Sequence, residues 1–163
     1  MKRNHRNRSS KKPDLKREYS TSPREMAVRM LARREHSALE LRHKLSHRGV
    51  DEVEIDSTIS RLQQEGLQSD ERFAESYVHS RSGKGYGPLR IAAELRERGV
   101  DEGITETCLD RDDDRWQLLL QQAHQRKFGD NTIGDFQDRA RRIRFLQYRG
   151  FELDKIYHLL KVI

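Results

Sequence analysis

Cysteine is almost absent from this chain, and so are long apolar stretches. The single cysteine, Cys108, excludes an intramolecular disulfide framework and a multi-cysteine zinc site, which favours a reducing compartment. No apolar run approaches the roughly 20 residues of a membrane span, and no apolar segment follows the basic N-terminus as in a secretory signal. These absences predict a cytosolic protein that does not enter a membrane.

Hydrophobic residues are also scarce. They make up 33% of the 163 residues, whereas charged residues make up 37%. A chain of this length accommodates one ordinary domain or a few small units, but not two large enzyme lobes. The low apolar content favours thin helical layers over a thick core with buried layers on both sides.

The net charge of +6 comes entirely from the N-terminal arm. Residues 1–20 contain eight cations and two acids, whereas the remaining residues are balanced. Because the arm has almost no apolar content, we expect it to be disordered in isolation. It is either a solubilising tail or a segment that contacts nucleic-acid phosphates. The cations are Lys2, Arg3, Arg6, Arg8, Lys11, Lys12, Lys16 and Arg17.

Capping signals predict an all-α fold from residue 22 onward. Ser22, Pro23 and Glu25 form a capping box with proline at the first helical position, and a second box begins at Ser37. Later starts are predicted at Asp51, Ser69, Pro88 and Asp101, before Trp116, at Thr132 or Asp135, and before Ile156. Apolar residues follow each start at helical spacing, and no segment alternates like a strand.

The predicted helices form a repeat. The segments KLSHRGV, ELRERGV and RFLQYRGF each place a leucine four residues before Gly49, Gly99 or Gly150. A period of about 50 residues is typical of tandem units that bury apolar faces on one another. We therefore predict a disordered arm (1–21) and three tandem three-helix repeats (22–66, 67–110 and 111–163) that form an elongated, curved body.

The segment SRSGKGYGPLR, residues 80–90, contains three glycines and several cations. It lacks the order and the preceding strand of a Walker phosphate loop, and Pro88 removes an N–H donor that such a site uses. It is therefore either a flexible connector between two helices or a binding surface. Arg81, Lys84, Tyr86 and Arg90 favour the second interpretation, because they have no nearby acid in this segment.

Three sequence blocks resemble the signature blocks of the RecX family of bacterial regulatory proteins. They are MLARREHSALELRHKL (30–45), DERFAESYVHSRSGKGYGPLRIAAELRERGV (70–100) and RFLQYRGF (144–151). The resemblance implies a non-enzymatic modulator that binds the filament of the recombinase RecA on single-stranded DNA. We also expect a monomer without a cofactor. It also implies inhibition of the ATPase, strand-exchange and co-protease activities of RecA, and thus control of recombinational repair and the SOS response. The alternatives are a stand-alone DNA-binding protein and a helical scaffold for another partner.

Two basic surfaces are candidate contacts with RecA or DNA. The alternative is that exposed arginines on these helices are only solvated. For Arg98 a favourable cation at a helix C-terminus is a further explanation, as it is for Arg48 and Arg149. The first surface comprises Arg81, Lys84, Tyr86, Arg90, Arg96 and Arg98; the second comprises Arg139, Arg141, Arg142 and Arg144.

Other polar clusters have simpler interpretations. His43 and His47 are four residues apart, but no third ligand is evident, so we expect them to face solvent. The acids at 112–114 complement the dipole of the following helix. Cys108 is expected to be a small core residue.

Overall fold

The computed structural model describes residues 21–110, 114–129 and 132–161. Nine α-helices and no strand occur in these ranges, which confirms the predicted all-α fold. The expectations for residues 1–20, Asp112 and Asp113 lie outside the described residues. The helices are α1 (Pro23–Leu31), α2 (Ala38–Ser46), α3 (Glu52–Gln64), α4 (Asp70–Gly83), α5 (Pro88–Glu97), α6 (Glu102–Leu109), α7 (Arg115–Phe128), α8 (Phe136–Arg149) and α9 (Leu153–Leu160).

The helices begin where the capping signals predict. Ser22 and Glu25 form the reciprocal capping box of α1. Ser37 caps α2, but the carboxylate of Glu40 turns away to accept hydrogen bonds from Arg34 and His36. Asp135 caps α8, which decides between the two predicted starts of that helix.

The helices pack in consecutive trios, which we call unit 1 (α1–α3), unit 2 (α4–α6) and unit 3 (α7–α9). The most extensive helix contacts lie within the trios, and the described residues form three apolar clusters, one for each unit. Trp116 is an exception, because this α7 residue is buried in the cluster of unit 2. Phe136, the first residue of α8, is 84% exposed. None of the described helices is long and apolar enough to cross a membrane.

Units 2 and 3 meet end to end at their middle helices. The N–H groups of Gly87 and Leu89, at the start of α5, donate to the carbonyls of Arg149 and Gly150 at the end of α8 (2.8 and 3.0 Å). Free N–H groups of one helix thereby satisfy free carbonyls of the other, and the positive end of the α5 dipole meets the negative end of the α8 dipole. The backbones approach so closely that a Cβ at Gly87 would overlap Gly150, and a Cβ at Gly150 would overlap Arg90.

Units 1 and 2 meet in the same order, but through side chains. The hydroxyl of Ser37, at the start of α2, donates to the carbonyl of Arg98 at the end of α5 (2.8 Å). Asp70 accepts from the backbone N–H of Ala38 (2.9 Å). Gly99 lies against the side chain of Leu39, whereas nothing lies within 4 Å of a Cβ built at Gly49. Gly99 and Gly150 therefore contact the neighbouring unit at the two junctions, whereas the equivalent Gly49 of unit 1 faces open space.

Candidate binding interface

The glycine-rich segment lies at the junction of units 2 and 3. Helix α4 ends at Gly83, and α5 begins at Pro88 as predicted. The residues between them do not form a free connector, because Arg126 donates to the carbonyl of Gly83 (3.3 Å) and Arg149 donates to that of Lys84 (3.0 Å). Two arginines of unit 3 thus cap the end of α4.

Tyr86 is the aromatic centre of this junction. Its ring packs against the core of unit 2 and lies near the guanidinium groups of Arg81 (3.8 Å), Arg90 (4.7 Å) and Arg149 (4.9 Å). Cations over a tyrosine ring are attracted to its π-electrons. Since Arg149 belongs to unit 3, Tyr86 links the two units from within the chain.

An acid accompanies the cations of the segment, contrary to the expectation from the local sequence. Glu94, on the next helix, accepts hydrogen bonds from Arg81, Arg90 and Tyr77. Burial alone would raise the pKa of Glu94, but these hydrogen bonds outweigh burial and hold the pKa below its ordinary value. Arg81 is only 19% exposed in this pair. Arg81 and Arg90 therefore stabilise unit 2.

The two remaining arginines of the first predicted surface differ from one another. Arg96 is 74% exposed, with Glu102 at 3.9 Å. Arg98 lies 3.6 Å from Glu40 of unit 1 and covers the ring of Tyr77. Arg98 thus joins two units, whereas the charge of Arg96 faces solvent.

The structure separates the arginines of the second predicted surface. Arg142 is buried, with 2% exposed, and its guanidinium bonds to Asp138 (2.8 Å), His124 (3.1 Å) and the carbonyl of Thr132 (3.4 Å). It cannot contact a partner in this conformation. Arg141 pairs with Asp138 from the exposed side, Arg139 is half-buried and Arg144 is exposed.

A small cleft at the junction of units 2 and 3 brings together cations that are distant in sequence. We call it the junction cleft; its volume is about 120 Å³ and its lining includes Phe145 and no acidic residue. Lys84 has no acidic partner among the described residues, and the ammonium of Lys127 lies 6.0 Å from the Phe145 ring. The cations of the cleft are Lys84, Arg126, Lys127 and Arg149.

Sequence reasoning missed Arg126 and Lys127. Both residues lie in the last turn of α7, directly before Phe128. Cations at this position complement the helix dipole, so the sequence alone gives no reason to assign them a binding role. Only the contact of unit 3 with the end of α4 places them beside Lys84. The described residues contain no group of three metal-binding side chains, and His43 and His47 are exposed as predicted.

Comparison with protein families identifies the repeat. Models of the first, second and third three-helix domains of RecX match residues 24–62, 69–109 and 112–160, in this order. The chain belongs to the RecX family. The resemblance of the three sequence blocks is thereby confirmed, and so is the prediction of three tandem three-helix repeats.

Individual relatives agree with this assignment. Regulatory protein RecX of Pseudomonas syringae pv. tomato is 44% identical over 84% of this chain and 88% of its own length, and that of Pseudomonas entomophila is 42% identical over the same shares. A crystal structure of regulatory protein RecX matches with a TM-score of 0.73 at 18% identity, over 85% of this chain and 70% of the other. RecX from Lactobacillus salivarius matches with a TM-score of 0.67 at 23% identity, over 86% and 96%. The RecX name gives this chain a regulatory role connected with RecA and DNA repair.

Proposed function

We propose that this RecX-family protein binds the RecA filament on single-stranded DNA, acts as a monomer in the cytoplasm, and inhibits the ATPase, recombinase and co-protease activities of RecA. The observation that carries the proposal is the ordered match of three RecX domains to three units joined end to end. A row of joined units presents a long surface, which suits a partner that is itself extended. In the cell, this inhibition would damp recombinational repair and the SOS response.

Binding to bare and to RecA-coated single-stranded DNA tests the proposal. A filament regulator binds the coated strand more tightly and slows ATP hydrolysis by RecA in proportion to its occupancy. A stand-alone DNA-binding protein binds both strands equally, and a scaffold for another partner binds neither. Either of these results, with ATP hydrolysis unchanged, would overturn the proposed function.

We place one contact with the filament at the junction cleft. Arg81, Arg90 and Arg98 form ion pairs with acids of the chain. Lys84 and Lys127 instead line a cleft that contains no acidic residue. Charge-assisted hydrogen bonds to carboxylates or phosphates are the contacts that such groups offer. Arg144 and Arg96 remain proposed contacts because they are exposed, and Arg142 is removed from the set because it is buried.

The double variant Lys84→Gln and Lys127→Gln should inhibit the RecA ATPase about tenfold less strongly, equivalent to about 1.4 kcal/mol of binding free energy. Surface substitutions of this kind leave stability within about 0.5 kcal/mol. The matched control is Arg61→Gln with Lys155→Gln, which removes the same charge from exposed positions on α3 and α9 outside the cleft. Equal inhibition by both double variants would show that the cleft is not a contact.

A further inference from the structure

A second groove lies at the junction of units 2 and 3, between α5 and the end of α8. Its volume is about 500 Å³, and no described residue lines both this groove and the junction cleft. We call it the α5–α8 groove. Its lining includes Leu89, Arg90, Ala93, Glu94 and Glu97 of α5 and Tyr148 of α8.

Apolar side chains of this groove face solvent. Leu89 is 42% exposed and Tyr148 is 71% exposed. Ala93 is also exposed, and it lies four residues after Leu89 on the same face of α5. Single exposed apolar residues are ordinary in proteins, but several in one groove with a polar rim are typical of a surface that another molecule covers.

The ring of Tyr148 is held in place before any partner binds. Arg90 lies over the ring at 4.8 Å and donates to the Tyr148 carbonyl (3.1 Å). Glu94 in turn accepts a hydrogen bond from Arg90 (3.1 Å). Because these side chains are already ordered, a partner loses less entropy when it binds them. Tyrosine and arginine are also among the residues that contribute most to the affinity of protein interfaces.

The charge of the α5–α8 groove is acidic, unlike that of the junction cleft. Arg90 is the one cation of its described lining, and Glu94 pairs with it. Glu97 is exposed and has no cationic partner among the described residues. This free carboxylate repels a phosphate backbone and attracts a lysine or an arginine. The complementary ligand is therefore a protein segment with an apolar side chain beside a cation, and not a nucleic acid.

We propose that the α5–α8 groove docks such a segment of a protein partner. The apolar side chain of the segment packs against Leu89 and Tyr148, and its cation pairs with Glu97. The inference rests on the proposed function, which makes RecA protein, and not the DNA of the filament, the source of the segment.

The double variant Leu89→Gln and Tyr148→Ala in the full-length chain tests the apolar contact. Fluorescence anisotropy of the labelled chain, titrated with RecA filaments on oligothymidine, measures its affinity for the coated strand. We expect the dissociation constant to rise about tenfold or more, because side chains at the centre of a covered apolar contact carry much of the binding energy. The affinity for bare oligothymidine should not change, because the groove contacts no nucleic acid.

The matched control is Leu118→Gln with Tyr157→Ala. It makes the same two substitutions on α7 and α9, at positions that are 55% and 38% exposed and lie outside the groove. We expect this control to bind the coated strand within about twofold of wild type. Equal affinities of both double variants, with thermal unfolding unchanged, would overturn the docking site.

The variant Glu97→Lys tests the charge of the groove without removing an ion pair. If a cation of the partner pairs with Glu97, the reversal places like charges together and weakens binding to the coated strand about tenfold. The control is Glu106→Lys, which reverses another exposed carboxylate of unit 2, on α6. If the groove contacts DNA instead, Glu97→Lys strengthens binding to bare and coated strands more than Glu106→Lys does, and the proposal is wrong.

The wild-type chain separates this inference from the proposed function. If the wild type binds the coated strand and the groove variants bind it equally well, the docking site is wrong and the proposed function stands. If the wild type does not bind the coated strand, both are wrong. Analytical ultracentrifugation of the free chain tests a second copy as the occupant. A wild type that dimerises, with a monomeric Leu89→Gln and Tyr148→Ala variant, would make the groove a self-association surface and overturn the proposal.

Discussion

Replacing Gly150 with alanine should lower the free energy of unfolding by about 3 kcal/mol or more. Gly150 has φ +90°, a conformation that costs an alanine about 1–2 kcal/mol. Its new Cβ would also overlap the backbone and the Cβ of Arg90. Because backbone cannot move aside as a side chain does, the end-to-end contact between α8 and α5 must open. Thermal unfolding measures the loss, and hydrogen exchange at Leu89 reports the broken bond to the Gly150 carbonyl.

Two matched substitutions separate the conformation from the contact. Gly49 has φ +79° in the same Arg-Gly motif, but nothing lies within 4 Å of its added Cβ, so Gly49→Ala should cost only about 1–2 kcal/mol. Gly99→Ala should fall between the two, because the Cβ meets the flexible side chain of Leu39 (2.9 Å). If all three variants lose the same stability, the junctions contribute nothing and the backbone conformation explains the whole effect.

Replacing Arg142 with alanine should destabilise unit 3 by roughly 2–4 kcal/mol, because the change empties a buried site and leaves its acceptors without a donor. Chemical denaturation of the variant measures this loss. The matched change is Arg141→Ala, which removes the neighbouring arginine from the same acceptor, Asp138. Arg141 is 65% exposed in that pair and Arg142 is 3% exposed, so Arg141→Ala should cost about 0.5 kcal/mol or less.

A leucine at position 142 should restore most of the stability that the alanine loses. The aligned residues in the other units, Leu41 and Ile91, are fully buried, so an aliphatic side chain suits the position. Replacing a buried ion pair with a well-packed apolar residue is often neutral. If Arg142→Leu is as unstable as Arg142→Ala, the ion pair and not the filled volume holds unit 3 together.

The candidate site was predictable only in part, as Lys84 and Arg81 illustrate. Both are cations of a glycine-rich segment, and the charge pattern of that segment does not distinguish one from the other. In the structure Lys84 keeps its charge at the junction cleft, whereas Arg81 is committed to Glu94, which lies 13 residues away. Whether a cation forms an ion pair depends on the acids that the fold brings near it. Helix packing brings together residues that are many positions apart in sequence, so the charges of the neighbouring residues do not predict the pair.

The cations of unit 1 illustrate the same limit. In the sequence, Arg29, Arg33 and Lys44 look like ordinary solvated residues near the ends of α1 and α2, and no local spacing connects Lys44 with the other two. Only the packing of α1 and α2 places these cations around one groove with Thr21 at its lining.

The sequence by itself determined the helices, the threefold repeat and the family, because caps, glycine stops and apolar spacing act over a few residues and recur with the period of the units. Tertiary structure determined which atoms each repeat glycine contacts. The same Arg-Gly motif is open to space at Gly49, touches a side chain at Gly99 and meets backbone at Gly150. A local motif specifies a positive φ, but the neighbour that it contacts depends on how one unit is placed on the next. That placement arises from contacts between residues as far apart in sequence as Arg90 and Gly150.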